Sequence, residues 1–122
     1  MLTLKSLDTV MPINEQIGVD VAPVVLINLF QVDEADVPEL LKAWEIDATW
    51  MKKQPGYIST QLHRGVGGNT TFFNYAVWES VEAFRNAFAH PEFQATLENY
   101  PDSVVTSPHL FSKVAVANLC TS

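Results

Sequence analysis

Short runs of alternating apolar and polar positions are separated along this chain by longer runs in which apolar positions recur every three or four residues. The first alternating run is Val24 to Val32, VVLINLFQV, β-branched and of strand length. It sets Leu26, Asn28 and Phe30 on one face and Val25, Ile27 and Leu29 on the other. A helix is predicted from Val37 to Lys53, with Asp36 as N-cap, Glu39 three residues later and Pro38 in the first turn. Its apolar stripe is Val37, Leu40, Leu41, Trp44, Ala48 and Met51. Gln54-Pro55-Gly56 ends it, because proline cannot extend the hydrogen-bond ladder and glycine accepts left-handed dihedrals.

Tyr57 to Arg64 reads as a second strand, and Gly65 to Asn69 as a hairpin connection into a third, Thr71 to Trp78. In the third strand Phe72, Asn74, Ala76 and Trp78 share one face, and Phe73, Tyr75 and Val77 share the other. Ser80 is the expected N-cap of a helix carrying Ala83, Phe84, Ala87 and Phe88, which stops at His90-Pro91. A short helix restarts at Pro91 and runs to about Asn99, with Phe93, Leu97 and Tyr100 on its apolar face. Pro101 and Pro108 bracket a loop, and Leu110 to Leu119 is predicted as the last strand. The order β-α-β-β-α-β is the ferredoxin-like α+β plan, a four-stranded antiparallel sheet with two helices on one face. It occupies residues 23–119, between an N-terminal arm of residues 1–22 that is extended or partly ordered and a tail of residues 120–122. The face without helices is apolar too, through Val25, Ile27, Leu29, Phe73, Tyr75 and Val77, which predicts a homodimer with sheets packed face to face.

Composition narrows the function. A length of 122 residues with 48% hydrophobic residues suits one domain with one core. The net charge of -7, with only seven scattered basic residues, argues against nucleic acid and disfavours strongly anionic ligands. Cys120 is the single cysteine, so no internal disulfide and no thiolate metal site are expected. The N-terminal segment carries Asp8 and Glu15 where a signal peptide would be apolar, and no run approaches the roughly 20 residues that span a bilayer. A cytoplasmic protein without membrane contact is the expectation.

Two side chains in the third strand are not what a core asks for. Asn74 and Trp78 stand on one wall with the small Ala76 between them, and Asn28 holds the matching face of the first strand. A strand tryptophan is most often core with its N–H bonded to backbone. Buried asparagines are rarer, since an unpaired amide costs roughly 1 to 3 kcal/mol. His63, His90 and His109 lack a carboxylate at ligand spacing, so no metal site is expected. His109, or alternatively His63, is a candidate base for removing a substrate proton.

The strings LINLF (26–30), MKKQPGYISTQLHR (51–64), NYAVWES (74–80), AFRNAFAHPEFQ (83–94) and SPHLF (107–111) together resemble the antibiotic biosynthesis monooxygenase family over residues 24–116. The resemblance implies a dimeric α+β barrel of ferredoxin-like subunits. It also implies a pocket between sheet and helices and, for members similar to anthrone oxygenases, oxygen insertion into polycyclic phenols without metal, flavin or haem. Asn28, Asn74 and Trp78 match the family's catalytic positions. Phe84 stands where some members carry a tyrosine, so a mechanism needing a phenol there does not transfer.

An electron-rich substrate makes such chemistry feasible by acting as its own cofactor. Deprotonated, it passes one electron to molecular oxygen, recombines to a peroxide and collapses to a quinone with loss of water. The protein then has to exclude water, hold the ring and donate hydrogen bonds to the oxygen that becomes anionic. Asn28 and Asn74 are the expected binders of the substrate oxygens and Trp78 the donor to the oxyanion or peroxide. Phe30, Trp44, Met51, Phe84, Phe88, Leu97 and His109 are the expected lining of the small aromatic substrate's pocket. Three rivals use the same scaffold, one of them a quinol monooxygenase of general metabolism that differs only in substrate. Haem-degrading members place a tryptophan and a ligating histidine where this chain has Ala87 and Leu97. A dimeric module that binds a small aromatic molecule without turnover needs the same pocket.

Overall fold

The computed structural model describes residues 1–122. Its strands are β1 (Thr3–Leu4), β2 (Val24–Gln31), β3 (Tyr57–Arg64), β4 (Thr71–Trp78) and β5 (Val105–Phe111). Its helices are α1 (Ile13–Gln16), α2 (Val37–Met51), α3 (Val81–Phe88) and α4 (Pro91–Thr96). The sheet order is β1-β5-β2-β4-β3, and the four strands from β5 to β3 pair antiparallel, as the ferredoxin-like plan requires. The alternating runs become β2, β3 and β4 because one set of alternate side chains in each faces the helices. Leu26, Phe30, Phe72, Ala76 and Trp78 are buried there.

The sheet differs from expectation at one edge. Thr3 and Leu4 add a fifth strand parallel to β5, with the Thr3 N–H donating to the Val104 carbonyl and the Lys5 N–H to that of Thr106, each at 2.9 Å. Within the predicted arm, Ile13 is 1% exposed and belongs to the core formed by Val24, Trp78 and Phe84. Burying such a side chain contributes about 2 kcal/mol, enough to hold a short helix against the sheet.

The last strand also lies earlier than Leu110 to Leu119. It is Val105–Phe111, and Pro108 sits inside it. Proline is tolerated because the backbone groups at Val104, Thr106 and Leu110 point away from β2, and Pro108 shares their parity beyond the end of β1, where no ladder partner needs its missing N–H. At Leu110 the Gln16 side chain stands in for a strand: its Nε2 donates to the Leu110 carbonyl at 2.9 Å and its Oε1 accepts from the Leu110 N–H at 2.9 Å. Residues 112–119 are exposed and form no strand.

Other local readings meet different partners. Ser80 caps α3, its Oγ accepting from the Ala83 N–H at 3.0 Å. Asp36 does not cap α2 by its side chain; a 3-10 turn over Glu34–Asp36 leads in, and the carboxylate accepts from Ser103 at 2.7 Å. Leu41 leaves the predicted stripe at 40% exposure, and Ala43 is buried in its place. Gly56 has φ +85°, and a Cβ there would collide with the Cβ of Ala83, so glycine lets α3 approach the turn that ends α2. The opposite face of the sheet leaves Tyr75 and Phe111 exposed. No helix is long and apolar enough to cross a membrane.

Candidate active site

Buried apolar residues form two clusters, one around Trp78, Phe84 and Ile13 and one around Phe30, Leu40 and Val104. Between them, under the helices, lies a cavity of about 520 Å³ including its open mouth. Its sheet wall is built by β2, β4 and β3, where the register sets Asn28 directly across from Asn74. Strand parity sends both amides inward, and Ala76 leaves room between Asn74 and Trp78.

Each asparagine is oriented by a threonine. The Thr106 hydroxyl donates to Asn28 Oδ1 at 2.6 Å, and that of Thr60 donates to Asn74 Oδ1. With both carbonyl oxygens occupied, the amide Nδ2 groups have no acceptor within the chain and face the cavity. Trp78 is 1% exposed, held edge-on by Tyr57 at 5.6 Å and by Phe84 at 5.8 Å. Its indole N–H likewise makes no bond to the protein, unlike that of Trp50, which donates to Glu92 at 2.8 Å. The usual backbone partner of a core tryptophan is thus absent, and the sheet wall presents three hydrogen-bonding groups whose donors are unused within the chain.

Most of the aromatic lining comes from the helices. Trp44, Met51, Phe84 and Phe88, with Phe30 of β2, join Asn28, Asn74 and Trp78 around the cavity. Leu97 lines an adjoining chamber that shares Asn28, Phe30, Phe88, Phe93 and Pro108 with the first and is closed on one side by Leu2 and Leu4 of the N-terminal segment.

His109 is not brought to either chamber. Its neighbour Pro108 takes the inward parity, so the imidazole lies on the opposite face with Nε2 3.1 Å from Gln16 Nε2, packed edge-on against Phe111 at 5.1 Å. Its Nδ1 is buried without a partner. His63 stacks on Phe73 at 4.3 Å, and His90 caps α4 by accepting from the Glu92 N–H at 3.0 Å. None of the three histidines lines the chambers, and no group of His, Cys, Asp and Glu stands close enough to hold a metal.

The residue that sequence reasoning missed is Asp47. It lies on α2 and lines both chambers, with Oδ2 accepting from the Tyr100 hydroxyl at 2.8 Å. Burial pushes its carboxyl up from 3.8 to about 6, against the opposing effect of the Tyr100 bond. Tyr100 stacks on Phe30 at 6.1 Å and is raised well above the ordinary phenol value, by burial and then by the adjacent carboxylate. Tyr57 is also raised by burial, so both phenols stay protonated at neutral pH. The signal was present in the spacing, because Asp47 falls three residues after Trp44 and four before Met51, on the helix's own apolar stripe.

Residues 23–99 match the sequence profile of the family described as antibiotic biosynthesis monooxygenase. The chain belongs to that family. It is 34% identical over 88 residues to a mycobilin-producing haem oxygenase of Mycobacterium tuberculosis, covering 72% of this chain and 84% of that protein. It is 32% identical over 83 residues to deoxynogalonate monooxygenase of Streptomyces nogalater, covering 68% of this chain and 70% of the relative. Among solved structures it is similar to SnoaB, a cofactor-independent oxygenase from Streptomyces nogalater, with a TM-score of 0.69 and 25% identity over 80% of this chain and 99% of that one. The monooxygenase family expected from the five strings is therefore the chain's own, and the ferredoxin-like α+β fold is shared with SnoaB.

Proposed function

We propose that this family member is a cofactor-independent monooxygenase that oxidises an electron-rich aromatic, an anthrone, polyphenol or quinol, with molecular oxygen to a quinone. The observation that carries the reading is the set of free donors on the sheet wall: two amide NH₂ groups and an indole N–H, all unpartnered within the chain, facing rings on the helix side. A phenolic or carbonyl oxygen of the substrate lies against Asn28 and Asn74, and charge that develops on it is met by donors already in place. Trp78 donates to the peroxide oxygen. Rigid aromatic contacts hold Trp78, so these groups need little reorganisation during reaction. The description of SnoaB as cofactor-independent supports the same chemistry here.

Oxygen uptake with an anthrone tests it. The wild type consumes oxygen, and Asn74→Ala and Trp78→Phe each lose about 100-fold in kcat/KM, the usual scale for an oxyanion donor. Unchanged rates in both variants would sink the assigned roles. Tryptophan quenching by phenols without oxygen consumption would leave a binding module instead.

Similarity to the mycobacterial haem oxygenase raises haem as a rival substrate. The residues do not fit it: the chambers contain no histidine, and Leu97 occupies the position expected to ligate iron. Haemin titration is expected to give no Soret band of a ligated haem. The apolar face with the exposed Tyr75 and Phe111 supports a homodimer through the sheet, which sedimentation as a monomer at micromolar concentration would overturn. The exposed lone Cys120 fits a reducing, cytoplasmic setting.

A further inference from the structure

We propose that Asp47 is the base that takes the substrate's proton and later returns it to the peroxide, with Tyr100 as its positioning residue. This rests on the monooxygenase reading and supplies what that reading lacks, a proton acceptor inside the cavity.

Few ionisable groups reach the two chambers. The ionisable groups lining them are Asp47 on α2, Tyr57 on β3 and Tyr100 after α4; no lysine, arginine, histidine or second carboxylate reaches either one. The other polar side chains that line a chamber with Asp47, among them Asn28 of β2 and Gln94 of α4, are uncharged. Both tyrosines are protonated, and Tyr100 donates to Asp47, so Asp47 is the one group that can accept a proton near neutral pH. Its Oδ2 is held by Tyr100, whose ring is fixed against Phe30, while Oδ1 has no partner in the chain. Asp47 and Asn28 line both chambers, so the acceptor faces the donor wall across the space where a ring would lie. The geometry places base and oxyanion donors on opposite sides of one substrate.

For an anthrone the balance is complete with oxygen as the only co-reactant. Asp47 takes one proton from the ring methylene, leaving a carbanion whose charge spreads to the oxygen bound by Asn28 and Asn74. One electron passes to O₂, and the radical pair joins through a new C–O bond as a peroxide anion. The Asp47 carboxylic acid returns its proton to give the hydroperoxide. Loss of the remaining C–H proton with O–O cleavage then yields the ketone and water. The methylene carbon loses four electrons, and O₂ gains them.

Anaerobic exchange of the anthrone methylene hydrogens with D₂O, followed by proton NMR, isolates the first step from oxygen chemistry. Wild-type protein accelerates exchange, and Asp47→Asn, which keeps an acceptor for the Tyr100 hydroxyl, loses about 100-fold or more of that acceleration. In Tyr100→Phe exchange persists, but its pH midpoint moves upward, because the lost bond favoured the ionised carboxylate. Circular dichroism verifies that both variants fold. Equal exchange in wild type and Asp47→Asn, or no acceleration by either, would overturn the assignment. Oxygen uptake, measured separately, reports on the parent reading: exchange without uptake keeps Asp47 and removes the oxygenation, while uptake without Asp47-dependent exchange does the reverse.

Discussion

The cavity has two walls that are polar in opposite senses and were built by different rules. On the sheet wall a period of two decides everything: Asn28, Asn74 and Trp78 enter because their parity is that of Leu26 and Ala76, and Thr106 and Thr60 orient the amides from neighbouring strands. The polar groups there are neutral, and the amide Nδ2 groups and the indole N–H are donors without a partner in the chain. On the helix wall one carboxylate stands among Trp44, Ala48, Met51 and Phe93, tied to a phenol far along the chain. Unpartnered neutral donors cost a few kcal/mol to bury and need no proton to be ready, whereas a buried charge costs more and changes with pH. In the proposed mechanism one wall binds charge, and the other moves it.

The strongest break of this arrangement is Phe84→Ala, which removes a side chain 1% exposed that holds Trp78 from the helix side. A loss of about 4 kcal/mol by denaturant unfolding is expected, together with oxygen uptake weaker than its folded fraction explains. Next is the coupling between the facing amides. Asn28→Ala and Asn74→Ala made together are expected to lose less in kcat/KM than the sum of the singles, by about 1 kcal/mol, because both address one substrate oxygen; strict additivity would mean they bind different atoms.

The third prediction concerns the sign of Asp47's contribution to stability. Its folded pKa lies above the unfolded value, so the stability it contributes is fully present below about pH 4 and lost as pH rises through about 6. Asp47→Asn, which does not titrate, is therefore expected to gain on the wild type over that window. Above it the variant should be more stable by on the order of 2 kcal/mol, after allowance for cavity water. A less stable variant at pH 8 would make Asp47 a structural residue. The smallest effect is Ser80→Ala, about 1 kcal/mol from loss of the α3 cap, with the sheet wall and its donors untouched.

The contrast explains what could be read from sequence. Asn28, Asn74 and Trp78 were visible because a strand fixes direction by parity alone, and the lining residues Trp44, Met51, Phe84 and Phe88 followed from helical spacing. Asp47 shared that spacing yet was passed over, because a carboxylate on a helix is ordinarily solvated and its partner Tyr100 comes from a different element. His109 was drawn to the site by its chemistry and removed from it by parity, since the strand starts at Val105 and Pro108 takes the inward position. The proline also hid the strand, as proline marks loops unless the edge it occupies needs no donor. The order of the N-terminal segment rests on contacts distant in sequence, such as Thr3 with Val104, which no local pattern reports.

That same edge bears on how the protein behaves at high concentration. A sheet edge with free N–H and C=O groups is a template on which another molecule's strand can grow. Along β5 an incoming strand would meet β1 over Val105 and Thr106, then a proline with no N–H to give, then a Leu110 whose donor and acceptor are both held by Gln16. Replacing Gln16 would free that last pair of groups and turn a sealed margin into a short site for intermolecular β-sheet growth.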